Sequence, residues 1–273
     1  LVKYMGSEYK ESVVPESADI EQAIEEIDTY GYCLLPDLLP ADWCNEFAQG
    51  CLQLHADDNC RADIVGDEYY QTLFGMMNRD DRTWRCASHP AAVAVARHFL
   101  GDDCRVVEAC SKPTWPGAPH QPLHVDSAGH FRQVPDTPWM INSIWMLSDF
   151  TVDNGATGVV PMSHRSRLRH PPAGLDPDGP QVQPVIGVAG SLLMWHGGTI
   201  HMARAHRGSA VRLGLNVAYY PIWFNNWIEN GHQPVWPETY ERMPEQMQQL
   251  CTGKRARHRD DAYESDPVAE IGA

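Results

Sequence analysis

The sequence predicts a mainly β protein, a sandwich or jelly roll buttressed by an N-terminal layer of α-helices. Three observations carry that expectation. Apolar residues recur at helical spacing up to Leu100, whereas from Arg105 onward short β-branched and aromatic runs alternate with Gly, Pro, Asn and Asp. The 273 residues, 43% hydrophobic and 21% charged, are enough to bury a large core. No repeat or linker-like stretch interrupts them, so one domain is expected over 1–273: a helical layer about 15–101, a jelly-roll core about 104–230 and a C-terminal extension 231–273.

Taken in order, Pro15 to Tyr30 reads as a helix, with Ile20, Ile24 and Ile27 on one face, carboxylates on the other and Gly31 as a stop. Tyr32 to Leu35 is a short apolar strand. Pro40 to Leu54 is a second amphipathic helix striped by Trp43, Phe47, Cys51 and Leu54. Asp57 to Arg85 lacks a steady period and reads as a packed irregular loop or a lid. A third helix spans Ser88 to Leu100, with Pro90 in its first turn and Gly101 past its end. The expected strands are Arg105 to Ala109, Gln121 to Asp126, Trp139 to Leu147, Ala156 to Val160, Ser191 to Trp195 and Val211 to Tyr220, with Pro171 to Pro180 an inserted loop.

Composition excludes several functions. A formal charge of −15 repels a phosphate backbone, and the one dense basic run, Lys254 to Arg259, is followed by Asp260 and Asp261; no nucleic-acid partner is expected. Without an apolar run of membrane-spanning length or a basic-then-apolar leader, neither a membrane partner nor export is expected, which points to the cytoplasm. The eight cysteines form no CxxC pair and read as small buried apolar groups rather than disulfides or zinc ligands.

The chemistry centres on Gln121-Pro122-Leu123-His124-Val125-Asp126. In extended chain His124 and Asp126 point the same way and can reach one metal ion together, and an imidazole beside a carboxylate suits Fe(II) if a second histidine completes a facial triad. Alone the pair is weak. With 13 His and 36 Asp plus Glu such pairs arise by chance, and His55-Ala56-Asp57 is another. His201, 75 positions after Asp126, follows the apolar run Ser191 to Trp195, and Arg212 comes eleven residues later at the start of a strand. A dicarboxylate chelating iron at one end would need such a buried guanidinium at the other. His196 is the rival ligand, but its arginine at plus eleven is Arg207, in a polar turn.

These residues, together with Trp145-Met146-Leu147-Ser148-Asp149-Phe150, Asn154-Gly155-Ala156-Thr157 and Pro161-Met162-Ser163-His164, resemble the phytanoyl-CoA dioxygenase (PhyH)-like branch of the Fe(II)/2-oxoglutarate-dependent oxygenases, from about Tyr30 to Asn230. Met162 stands where the branch usually has Gly. The resemblance implies a double-stranded β-helix (jelly roll, cupin-like) with flanking helices. It also implies an iron triad of His124, Asp126 and His201, with Arg212 on the distal carboxylate of 2-oxoglutarate. Gln121 and Thr157 match positions that contact 2-oxoglutarate in natural-product-tailoring members, several of which are dimers, so a homodimer is among its implications.

By the same resemblance the cofactors are Fe(II), 2-oxoglutarate and O2. The implied reaction hydroxylates an unactivated C–H of a small molecule in secondary-metabolite biosynthesis, releasing succinate and carbon dioxide. Desaturation, epoxidation or ring rearrangement on the same site remain open. Chlorination is not expected, because Asp126 fills the position that related halogenases leave to Gly or Ala. A metal-binding isomerase or an iron sensor on the same fold is the alternative of a different class, and would not need Arg212, Gln121 and Thr157 together. Candidates for an apolar substrate pocket are Tyr69, Tyr70, Phe74 and Met77, with Tyr220, Trp223, Phe224 and Trp227 after the last strand.

Overall fold

Helix α1 (Ser17–Tyr30) turns Ala23 and Ile27 inward, both almost completely buried, with Ile20 and Ile24 packed beside them. It ends at Gly31, whose φ of +87° suits glycine; a Cβ there would lie 2.6 Å from both His164 Nδ1 and Thr199 Oγ1. Strand β1 (Tyr32–Leu35) follows at once, then helix α2 (Ala41–Ala56), which buries Trp43, Cys44, Phe47 and Cys51. The computed structural model describes residues 17–126, 135, 137–224 and 235–251, so the start of the expected first helix, Trp227 and the basic run near the C-terminus lie outside the described residues.

The segment expected to be irregular is more ordered than its sequence suggests. It holds a 3-10 turn (Asp58–Asp63), strands β2 (Ile64–Gly66) and β3 (Gln71–Leu73), and short helices α3 (Met76–Arg79) and α4 (Arg82–Ala87). Elements of three to six residues are too short to show a period, and Leu73 opposite Ser111 ties β3, and β2 through it, to the sheet. Helix α5 (Pro90–Leu100) follows, with Pro90 at its start and His89 Nδ1 accepting from the Ala91 N–H.

Among the described residues ten strands form two antiparallel sheets. Besides β1 to β3 they are β4 (Arg105–Thr114), β5 (Ile141–Met146), β6 (Thr157–Val159), β7 (Gln183–Pro184), β8 (Leu192–His196), β9 (His201–Ala203) and β10 (Arg212–Tyr220). The major sheet runs β1-β8-β5-β10-β4-β3-β2 and the minor one β7-β6-β9. Two short helices, α6 (Pro237–Arg242) and α7 (Glu245–Leu250), pack their Met247 and Leu250 on the helical side of the major sheet.

Period-two alternation decides which side of the major sheet carries chemistry. On β10, Leu213, Leu215, Val217 and Tyr219 join the core with the helices, so Arg212, Gly214, Asn216 and Ala218 face the minor sheet. All nine residues of β10 are buried, because helices cover one face and the second sheet the other. The eight cysteines are buried and unpaired, as small apolar groups would be.

One expected strand departs from the reading. Gln121–Asp126 belongs to neither sheet; it makes a single antiparallel bridge, His124 and His201 exchanging two N–H to O bonds of 3.0 Å, and Gln121 N donates to Ala203 O at 3.0 Å. Pro122 removes one of the donors that a continuous ladder would need.

Met162 occupies the left-handed region at φ +64°, ψ 3°, about half exposed, while its N–H donates to Tyr30 O at 2.7 Å. A left-handed non-glycine residue costs on the order of 1 kcal/mol, and little packing would be lost with this side chain. Met162→Gly should therefore raise stability by roughly 0.5–1 kcal/mol in urea unfolding; a loss of stability would show that the Met162 side chain holds the turn.

Candidate metal centre

Two short pieces of chain bring the ligating groups together. The bridge between His124 and His201 sets the imidazoles side by side, ring centroids 4.3 Å apart, and Asp126 lies two residues beyond His124. The Asp126 Oδ1 is 3.8 Å from His124 Nε2 and 3.5 Å from His201 Nε2. Among the described residues this is the one group of three whose ligand atoms all lie within 4.8 Å of one another.

The tautomers are set by the backbone. His124 Nδ1 is 3.0 Å from Pro122 O and His201 Nδ1 is 2.9 Å from Thr199 O. A carbonyl accepts only, so each Nδ1 carries the hydrogen and each Nε2 presents a lone pair to the common point. Burial pulls His201 down to about 4 against the attraction of Asp126, which keeps the ring neutral and able to ligate at physiological pH.

Asp126 is held from behind. Its Oδ2 accepts from Asn142 Nδ2 and from Trp195 Nε1, each at 3.0 Å, which leaves Oδ1 for the histidines. Burial opposes its ionisation, but the neighbouring imidazoles, the Asn142 amide and Lys112 prevail and hold its carboxyl at about 2. Two imidazoles and one carboxylate on one side of a shared point are a donor set that fits a divalent iron and leaves positions open on the other side.

A cavity of about 380 Å³ opens from this point between the sheets. At one end Arg212, 3% exposed, donates through Nη2 to Thr114 Oγ1 at 2.5 Å and lies over the Phe150 ring at 4.3 Å. Its Nε has no hydrogen-bond partner, and no described carboxylate lies within ion-pairing distance. Burial pulls Arg212 down to about 10, so it stays charged at neutral pH. Gln121 accepts at Oε1 from the Ala203 N–H, 3.1 Å, which leaves its amide NH2 for the cavity, and Thr157 lines the wall opposite Ala203.

The other expected residues divide. Tyr70 lines the cavity, its hydroxyl donating to Pro119 O. Met77 is packed into the core beneath the helices; Tyr220 and Phe224 stack with Trp139 in a separate cluster; Trp223 is 67% exposed; Tyr69 and Phe74 are absent from the cavity wall. His196 accepts from the Gly198 N–H at Nδ1 and sits against His164, outside the triad, and His55 contacts Ser111 on the far side of β4. Lys112, Thr114, Asn142 and Asn216 line the cavity unforeseen, although polar residues within the strands β4, β5 and β10 are a signal that could have found them.

A mainly β fold of two antiparallel sheets enclosing a His-Asp-His group defines the class: a double-stranded β-helix protein with a candidate metal centre. The PhyH family model, phytanoyl-CoA dioxygenase, matches residues 27–214, and the chain belongs to that family, whose enzymes are iron- and 2-oxoglutarate-dependent dioxygenases. It is similar to the dioxygenase andF of Emericella variicolor, 31% identical over 178 residues that cover 62% of this chain and 60% of the relative. It is also similar to the dioxygenase trt7 of Aspergillus terreus, 32% identical over 123 residues covering 44% and 42%. The matched segments thus span less than two thirds of those relatives' length. Among solved structures it resembles the epimerase SnoN in complex with Fe3+, α-ketoglutarate and nogalamycin RO, at 20% identity and a TM-score of 0.61, covering 81% of this chain and 98% of that one.

Asn142→Ala and Trp195→Phe each remove one donor from Asp126 Oδ2. Each should weaken metal binding by roughly ten-fold or more in competition with a chelator, whereas His196→Ala should leave it unchanged. Loss of metal in His196→Ala with retention in His201→Ala would reverse the ligand assignment.

Proposed function

We propose that His124, Asp126 and His201 hold Fe(II), that Arg212 with Thr114 receives the distal carboxylate of 2-oxoglutarate while Gln121 and Thr157 flank it, and that the enzyme hydroxylates an unactivated C–H of a small molecule in secondary-metabolite biosynthesis. The observation that carries the reading is Arg212: a buried, charged guanidinium with an unmatched Nε and no acidic partner among the described residues. Leaving such a group unpaired is costly, so its retention implies an anionic ligand from solution. A metal-binding isomerase or iron sensor would have no use for it.

Iron, 2-oxoglutarate and O2 together supply the oxidising power, one oxygen atom entering succinate as carbon dioxide leaves and the other entering the product. The chain's own residues do the placing. Asn142 and Trp195 keep Asp126 turned to the centre, and Pro122 and Thr199 hold the histidine tautomers. Arg212 and Thr114 fix the far end of the co-substrate, so that its 2-oxo acid end faces the triad in one orientation. Phe150 covers the guanidinium and keeps water from it, which strengthens the grip.

Anaerobic titration of the Fe(II)-loaded protein with 2-oxoglutarate should produce the weak visible charge-transfer band of a chelated 2-oxo acid. Arg212→Ala should lose on the order of 2–5 kcal/mol of co-substrate binding, at least roughly thirty-fold, while retaining iron. No band in a folded, iron-loaded wild-type protein would return the weight to an isomerase or sensor.

A further inference from the structure

The cavity contains a second cation that the co-substrate does not need. Lys112 lies on β4 opposite Gly214 of β10, one strand period from Thr114, and its side chain lines the cavity together with the triad. Among the described residues no carboxylate lies within 4.0 Å of its ammonium and no acceptor bonds to it. The nearby acids are otherwise engaged. Glu108, on the same face of β4, takes the Cys110 thiol at 3.1 Å, and Asp126 gives Oδ2 to Asn142 and Trp195 and turns Oδ1 to the histidines. Burial works against the Lys112 charge, but Cys110, Glu108 and Asp126 outweigh it and raise the pKa above the ordinary lysine value.

A charge count shows what is left over. A divalent metal is balanced by Asp126 and by the chelating carboxylate of 2-oxoglutarate, and Arg212 is balanced by the distal carboxylate. Among the groups that line the cavity Lys112 then remains a cation with no carboxylate at ion-pairing distance, Glu108 lying outside the wall, and in a partly desolvated site that favours a further anion. Around it stand neutral polar groups, Gln71 and Thr72 from β3 and Asn216 from β10, with Ile144 and Met202 among the apolar walls. Asn216 is not adjustable: its Nδ2 donates to Asn142 Oδ1 and to Ser143 O, both at 2.6 Å. Among the described residues the one cationic donor in this part of the wall is Lys112.

We propose that Lys112 is a specificity-determining residue whose ammonium binds a carboxylate of a small, otherwise apolar substrate and so presents that substrate to the metal centre. The inference rests on the co-substrate reading above. In this role Lys112 exchanges no proton or electron; it sets which molecules enter and how they lie.

The test uses the full chain loaded with Ni(II), which does not turn over, and saturated with 2-oxoglutarate. Calorimetry then compares 1-naphthoate with 1-naphthamide, two probes of one shape that differ in charge. The wild type and Lys112→Arg should bind the naphthoate at least about ten-fold more tightly than the amide, and Lys112→Met should bring that ratio to about one. The affinity for 2-oxoglutarate should fall far less in Lys112→Met than in Arg212→Ala, and its retention also shows that the variant is folded. Equal binding of the two probes by the wild type, binding of neither, or a preference that survives Lys112→Met would each overturn the proposal. So would a loss of 2-oxoglutarate in Lys112→Met as large as that in Arg212→Ala, which would make Lys112 a co-substrate residue. Failure of the wild type to take 2-oxoglutarate at all would overturn the co-substrate reading itself, and this inference with it.

Discussion

The two oxygens of Asp126 do different work, and the candidate site depends on that division. Oδ2 is bound by Asn142 from β5 and by Trp195 from β8, two adjacent strands of the major sheet, while Oδ1 faces the imidazoles. A carboxylate free to rotate would offer either oxygen and be a poor third ligand. Here the pairing of Asn142 with Trp195 across β5 and β8 places both donors behind it. The orientation of the ligand is thus a property of the sheet, transmitted through two hydrogen bonds.

Sheet register also separates the two ends of the cavity. His201 lies on β9 of the minor sheet and Arg212 on β10 of the major one, so the chain between them crosses from one sheet to the other. That crossing is why a metal ligand and a buried guanidinium eleven residues apart can face one cavity from different walls. Proline supplies a further constraint: Pro122 has no N–H to give to a ladder, and Gln121–Asp126 pairs with β9 only through Gln121 and the His124 bridge, while Asp126 reaches Asn142 of β5 and Trp195 of β8. The same arrangement puts Lys112 and Arg212 on neighbouring strands at successive inward positions of the major sheet.

The parts legible in the sequence were those with a strong period or a distinctive spacing. Helices α1, α2 and α5, strands β5, β8 and β10, and the grouping of His124, Asp126 and His201 follow from patterns that local chemistry imposes. The choice of His201 over His196 followed from where each places its arginine, and the structure sets His196 against His164, away from the triad. Strands β2, β3, β7 and β9 were hidden because two or three residues cannot show alternation. The Asn142 and Trp195 donors were hidden for another reason: they act on Asp126 from 16 and 69 residues away, and only strand pairing reveals it. The aromatic residues misled. Met77 and Tyr220 fill core clusters and Trp223 is solvent-exposed, whereas the cavity wall is richer in polar side chains such as Lys112, Asn142, Asn216 and Gln71. An aromatic or methionine side chain is useful to any core, so its type alone carries little information about a site.

The central claim is that one divalent metal sits between His124 Nε2, His201 Nε2 and Asp126 Oδ1, with a dicarboxylate reaching from it to Arg212. The most direct measurement is an anomalous difference map from crystals soaked anaerobically with Fe(II) and 2-oxoglutarate. The account predicts a single strong iron peak at the point shared by those three atoms and continuous ligand density from it to the Arg212 guanidinium. Iron at His164 and His196, or a dicarboxylate that leaves Arg212 unpaired, would contradict it.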